Sequence, residues 1–428
     1  MHIKFKRSNL NSYLLLIIWI FIVIFKLQTN STKYWSFFWL LVFCVSGVLN
    51  GTKIDLLKKN NAATKYIYFF IIWSLISTFI NLILGTNSNY SYSVLLFDNF
   101  VQMLLPLVCL DQIGKKASAI CFLNCFKILI VAMSLWGVAD YVTRSQLYAP
   151  LIKTEQALHN MNHFFNAVKS SYRLTLIFYH PIYYALLLTI CMSILIFFPF
   201  KNKAIQLISL CLVGLNIILT QTRSAWICVA IVVLLFVYRS RRSNPILRKF
   251  VSKTKLQYAI LTCVIIGFLI IITMRTSSAF YSEIVVLISD RINALFLGDG
   301  TDIRLANFIM VGNIILNNPH LLITGGGLMY ASSYLQNHPA LGYWTKAVDN
   351  QYLTNVINYG LIGLGIYLML LAMFVRGFKK DYNAISSCLN LSLITIMISS
   401  FVFESVGSNI IFYLFIILIS LSATAEVG

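Results

Sequence analysis

Tyr13-Leu14-Leu15-Leu16-Ile17-Ile18-Trp19-Ile20-Phe21-Ile22-Val23-Ile24-Phe25-Lys26-Leu27 is an apolar run broken once, at Lys26. A run of this kind is what a helix needs to cross the hydrocarbon core of a bilayer. Lys4, Lys6 and Arg7 precede it, which gives it the outline of a signal peptide. No small-x-small cleavage site follows, because the next residues are Gln28-Thr29-Asn30-Ser31. We therefore read it as a retained first span.

The pattern recurs along the whole chain. Of 428 residues, 59% are hydrophobic and only 11% are charged. A soluble protein of this length has no interior large enough to hide so much apolar surface. Lipid offers the backbone no hydrogen-bond partner, so the spans must be helices. Apolar runs of roughly 15–25 residues fit about twelve of them. They fall at 11–27, 34–50, 66–84, 93–110, 118–142, 173–199, 204–220, 224–238, 257–274, 351–375, 384–402 and 406–423. The fold class is thus an all-α polytopic membrane protein with a large extracytoplasmic loop before the tenth span. Residues 1–274 carry the first nine spans, 275–350 the loop with an amphipathic helix, and 351–428 the last three spans.

The net charge of +20 has a plain explanation in topology. With the N-terminus in the cytoplasm, Lys53, Lys58, Lys59, Lys65, Lys115, Lys116, Lys201, Lys203, the run Arg239–Lys255, Arg376, Lys379 and Lys380 all fall on the cytoplasmic side. That agrees with the positive-inside bias, puts both termini in the cytoplasm, and turns 143–172 and 275–350 outward. Nucleic-acid binding would need a soluble basic face, and none is visible. All nine cysteines lie in or beside apolar runs, which argues against a disulfide framework or a thiolate-metal site.

Against that bias, Arg173, Arg223, Arg291 and Arg304 fall on the outward side. Arg173 and Arg223 stand at the mouths of spans. A guanidinium there suits a phosphate partner, because its planar fork gives bidentate donors and never loses its charge. Residues 302–318 read as an amphipathic helix of about four turns, with Thr301 or Asp302 as its cap and Pro319 as its stop. Gly325-Gly326-Gly327 then allows a tight turn with free backbone N–H groups, or simply a bend. Asp349 comes just before the next span. It reads either as a helix N-cap or as a base or positioning group beside an outward cavity.

Arg304 with its following helix, Asn318-Pro319, Gly325-Gly326-Gly327, Asp349-Asn350-Gln351-Tyr352-Leu353 and Tyr359-Gly360-Leu361-Ile362-Gly363 together resemble the O-antigen polymerase (Wzy) and O-antigen ligase group. His180-Pro181 within the sixth span and Thr220-Gln221-Thr222-Arg223-Ser224 are similar to further segments of that group. The resemblance implies a glycosyltransferase at the outer face of the bacterial cytoplasmic (inner) membrane. Its substrates would be oligosaccharides carried on undecaprenyl diphosphate, in capsule, exopolysaccharide or O-antigen synthesis. Flippase and chain-length regulator proteins would be its neighbours. It implies Asp349 and Arg304 as catalytic residues and Arg173, Arg223 and Arg291 as diphosphate ligands, with no cofactor and no metal. Ligases of the group usually carry His where this chain has Asp349, which favours a polymerase.

Other readings stay open beside this one. A ligase-type transfer is one. A transporter or flippase of lipid-linked sugars is another, although no internal repeat is visible and the charged candidates gather at the outer surface. Glu155, His159 and His163 would share a helix face as metal ligands if that loop were helical, and are otherwise a solvated face. His180 is a packed polar residue or a cavity wall. Asp98 and Lys127 lie within spans, where they could pair. Glu404 falls at an outer turn and is expected to be exposed.

Overall fold

A computed structural model describes residues 7–29, 32–50, 62–85, 96–98, 100–143, 148–155, 158, 172–178, 180–242, 301–338, 348–380, 383–404 and 408–425. The helices are α1 (Arg7–Gln28), α2 (Thr32–Asn50), α3 (Ala62–Leu84), α4 (Leu105–Gly114), α5 (Ala119–Thr143), α6 (Pro181–Phe197), α7 (Lys203–Leu219) and α8 (Arg223–Arg242). After a gap in the described chain come α9 (Thr301–Asn317), α10 (Leu321–Thr324), α11 (Tyr330–Asn337), α12 (Gln351–Lys380), α13 (Ala384–Ser399) and α14 (Asn409–Ala425).

Five described helices are long and apolar enough to cross a membrane: Arg7–Gln28, Ala62–Leu84, Leu96–Gly114, Ala119–Thr143 and Gln351–Lys379. Shorter apolar helices accompany them, among them Pro181–Phe197, Lys203–Leu219, Ala384–Ser399 and Asn409–Ser422. Among the described residues all regular structure is helical, with the multiple apolar helices of a polytopic membrane protein. Every predicted span overlaps a described helix except the ninth, 257–274, which lies outside the described residues.

Burial sorts the helices into two layers. In α6, α13 and α14 nearly every side chain is buried, whichever way it points, as expected of helices surrounded by others. The outer helices bury one stripe and expose another made of large apolar side chains. Examples are Ile17 and Phe21 on α1, Leu40 and Leu41 on α2, and Phe69, Ile76, Phe79 and Ile83 on α3. Such surfaces are stable against acyl chains, not against water.

Three departures from the sequence reading have local causes. The fourth span carries a π-helical segment, Phe100–Leu104, before α4. Pro106 has no N–H to offer the carbonyl of Gln102, and the Tyr413 hydroxyl supplies that bond from α14 at 3.1 Å. The sixth span starts late: the helix begins at Pro181, with residues 172–175 irregular and a 3-10 turn at Leu176–Phe178. Pro at the first helical position and His180 as the cap set that start. The pairing of Asp98 with Lys127 is not formed. Lys127 donates to the carbonyl of Phe198 at the end of α6 (2.6 Å) and lies 4.2 Å from the Phe200 ring centroid. A cation there satisfies a terminal carbonyl and suits the negative end of the helix dipole. An ion pair that the sequence reading did not consider joins Asp111 of α4 to Lys115 at 2.6 Å.

Candidate functional site

The long helix α12 is broken. At Gly360 the backbone takes φ 67° and ψ −169°, a conformation open in practice only to glycine. The break frees carbonyls of the preceding turn, and each finds a donor. Gly326 N–H donates to the Ile357 carbonyl and Gly327 N–H to that of Asn358, both at 2.8 Å. Trp73 Nε1–H donates to the Tyr359 carbonyl at 2.7 Å, and Ser77 Oγ–H bridges the carbonyls of Thr324 and Asn358. The glycine run is therefore a strap across the kink. Of the two readings of this run, a turn with free N–H groups is corrected: Gly325 N–H is also taken, by the Leu321 carbonyl at 2.9 Å.

The kink separates a short N-terminal limb of α12, residues 351–359, from the rest. That limb is capped by Asn350, whose Oδ1 accepts from the N–H groups of Tyr352 (2.9 Å) and Leu353 (3.2 Å). Asp349 is thus not the N-cap. It sits one residue earlier at φ 54°, with its side chain exposed. A left-handed non-glycine residue is uncommon, and Asp is among those that tolerate it.

Two side chains hold this turn from either side. Asn307 of α9 donates from Nδ2 to the Val348 carbonyl at 3.0 Å. Glu404, in the connection from α13 to α14, accepts the Val348 N–H at 2.9 Å and the Thr354 hydroxyl at 2.8 Å, both on Oε1. The expectation of an exposed Glu404 is corrected. The residue is half-buried, because the first turn of α12 folds over the end of α13, where Gln351 N–H also donates to the Ser400 carbonyl at 2.9 Å. Burial drives the Glu404 carboxyl above the usual glutamate range. The bonds from Thr354 and Val348 pull against this, and the charge of Asp349 adds to the upward push.

Arg304 stands on α9 one turn before Asn307, so the helix that carries it is tied directly to the Asp349 turn. Its side chain, and all of Arg291, lie outside the described residues, as do His159 and His163 of the candidate metal set.

Arg173 reaches the turn between α7 and α8, three residues before Arg223 opens α8. Arg173 Nε–H donates to the Thr220 carbonyl at 3.3 Å, and Leu174 N–H to that of Leu219 at 3.2 Å. Gln221 turns the chain at φ 54° and donates from Nε2 to the Tyr172 carbonyl at 3.2 Å, after which α8 opens with Arg223. Tyr172 in turn donates its hydroxyl to the fully buried Asp140 at the end of α5, and Tyr148 bonds the Thr175 hydroxyl at 2.7 Å. A buried carboxylate and two tyrosines thereby fix the segment that presents Arg173.

The arginine pair and the carboxylates share one end of the bundle. Ser224 of α8, Ile182 of α6 and Ser399 of α13 line one narrow crevice, and Ser399 adjoins the Ser400 carbonyl that anchors Gln351. His180 accepts the Ile182 N–H at Nδ1 (3.2 Å) as the cap of α6, so it acts in packing. Its ring lies against Tyr183, and Tyr183 against Phe403, the neighbour of Glu404. Chemically, this end offers two guanidinium groups for an anion and two carboxylates for a hydroxyl. Asp140 and Glu404 were not legible as site residues in the sequence. The one available signal was an acidic residue inside or beside an apolar run.

Residues 207–368 match the family model described as O-antigen ligase. The matched stretch takes in Arg223, Arg304, the glycine strap, Asp349 and the kink at Gly360, and leaves Arg173 and Glu404 outside. The resemblance read from the sequence motifs therefore holds over this segment. No curated protein matches the chain.

Proposed function

We propose that this chain, a membrane protein carrying the O-antigen ligase family segment over residues 207–368, polymerises oligosaccharide repeat units linked to undecaprenyl diphosphate. The family takes in ligases and polymerases that act on lipid-linked polysaccharide. In this reading the donor lies with its diphosphate against Arg173 and Arg223, with Arg304 and Arg291 completing the cationic surround. Breaking the bond from the anomeric carbon to the phosphate oxygen leaves negative charge on the diphosphate. Preorganised guanidinium groups, partly shielded from water, stabilise that charge strongly. The acceptor is a hydroxyl of a second lipid-linked unit, and Asp349 accepts or orients its proton. Direct attack by that hydroxyl inverts the anomeric centre. The site faces outward, as the distribution of Lys and Arg favours.

One observation carries this reading best. The turn bearing Asp349 is clasped between Asn307, on the helix that bears Arg304, and Glu404, at the same end of the bundle as the Arg173–Arg223 pair. A charged constellation with this much backbone support is costly to build for packing alone.

A deletion strain tests it. A polymerase leaves single repeat units on the lipid carrier in the outer leaflet. Intermediates held in the inner leaflet would indicate a flippase. Full-length polymer held on its lipid carrier would indicate a ligase.

A further inference from the structure

Glu404 is the buried-side carboxylate that the reading above leaves unused. Its Oε1 is fixed by two donors from the start of α12, the Val348 N–H and the Thr354 hydroxyl. Its other oxygen accepts no hydrogen bond among the described residues, and the side chain is not fully covered. A carboxylate anchored through one oxygen, with the second open, is arranged as a positioned proton acceptor. Asp349 differs: it is exposed, on a left-handed turn. On the other flank of the turn Asn307 is almost wholly buried, and its Oδ1 has no donor among the described residues. That oxygen is enclosed, so of the two flanks only the Glu404 side offers an acceptor that a hydroxyl could reach.

We propose that Glu404 is the general base of the transfer and Asp349 the residue that orients the acceptor hydroxyl. This rests on the glycan-transfer reading given above. As the acceptor oxygen bonds to the anomeric carbon, its proton passes to the open oxygen of Glu404. The bond from that carbon to the phosphate oxygen breaks, and its electron pair leaves with the diphosphate. No oxidant, metal or further reactant is needed for the balance. The upward displacement of the Glu404 carboxyl by burial makes it a stronger base than an exposed glutamate.

The test compares Glu404→Gln with Thr354→Val and Arg223→Ala in the full-length protein. Polymer formation is followed in membranes of the deletion strain, and binding is measured with radiolabelled undecaprenyl diphosphate on detergent-purified protein. The glutamine amide oxygen can still accept from Val348 and Thr354, so its fold is retained, and thermal unfolding checks this. General-base catalysis typically contributes 10²–10⁴-fold. The expected result for Glu404→Gln is a polymerisation rate at least about 100-fold lower with lipid diphosphate binding unchanged. Thr354→Val removes one anchor and lowers the rate by a smaller factor. A Glu404→Gln rate within about tenfold of wild type overturns the proposal and reduces Glu404 to a clasp for the turn. If Arg223→Ala also binds and polymerises normally, the glycan-transfer reading itself fails, which separates the two failures.

Discussion

Replacing Gly360 by alanine puts the central kink under direct test. A Cβ on Gly360 would lie 2.1 Å from the Ile323 carbonyl oxygen and 2.4 Å from its carbon. Both are backbone atoms, so no side-chain rotation relieves the clash. The positive φ adds about 1–3 kcal/mol for any residue with a side chain. Relief means lifting the Ile323–Gly327 strap from α12, which breaks the Gly326–Ile357 and Gly327–Asn358 hydrogen bonds at about 0.5–1.5 kcal/mol each. The total is roughly 2–6 kcal/mol, a large share of the usual stability of a folded chain. The limb that carries Asp349 then loses its fixed angle, so polymer formation falls as well. Gly365 is the control: it lies in the same helix, and nothing stands within 4 Å of a Cβ there. Gly365→Ala is expected to be neutral or mildly stabilising. The assay is thermal unfolding of both purified variants, with polymer length on gels. Equal melting points and equal polymer for the two would refute the backbone-contact argument.

Further outcomes follow from the same geometry. Arg304→Lys keeps the charge but loses the planar fork, and is expected to give sharply less polymer, as Arg304→Ala does; wild-type chain lengths from both would end that assignment. Activity needs Glu404 ionised, so its acidic limb should lie above the ordinary glutamate value of about 4.3. Since the negative charge of Asp349 raises Glu404, Asp349→Asn should move that limb to lower pH; a shift upward in the pH–rate profile would contradict the coupling. Tyr413→Phe removes the donor to the half-buried Gln102 carbonyl and should destabilise by about 0.5–1.5 kcal/mol in thermal unfolding, with the polymerisation rate per folded molecule unchanged. Reporter fusions after Asn337 should be active outside the membrane, and those after Lys116 inactive.

The spans were legible because lipid imposes a simple rule: a helix must be apolar over its crossing length. The run Tyr13–Leu27 could be read that way, and the helix ending at Asn317 by its cap and its stop at Pro319. Arg173, Arg223 and Asp349 were legible as residue types, by their place at span mouths. Their relations were not. Nothing local distinguishes a glycine run with free N–H groups from one that straps a broken helix, since the partner carbonyls of Ile357 and Asn358 lie about thirty residues on. Glu404 reads as surface charge until α12 is seen folded over it. Asp140 hides at the end of an apolar helix, because its role depends on Tyr172 across a loop. Pairings of long sequence separation leave no periodic trace.

Binding of radiolabelled undecaprenyl diphosphate to the purified protein measures the guanidinium clamp without any knowledge of the sugar. Losing one charge-assisted contact, about 1.5–3 kcal/mol, should weaken binding by roughly ten- to a hundredfold in Arg173→Ala and in Arg223→Ala. Wild-type affinity in both variants would contradict the account.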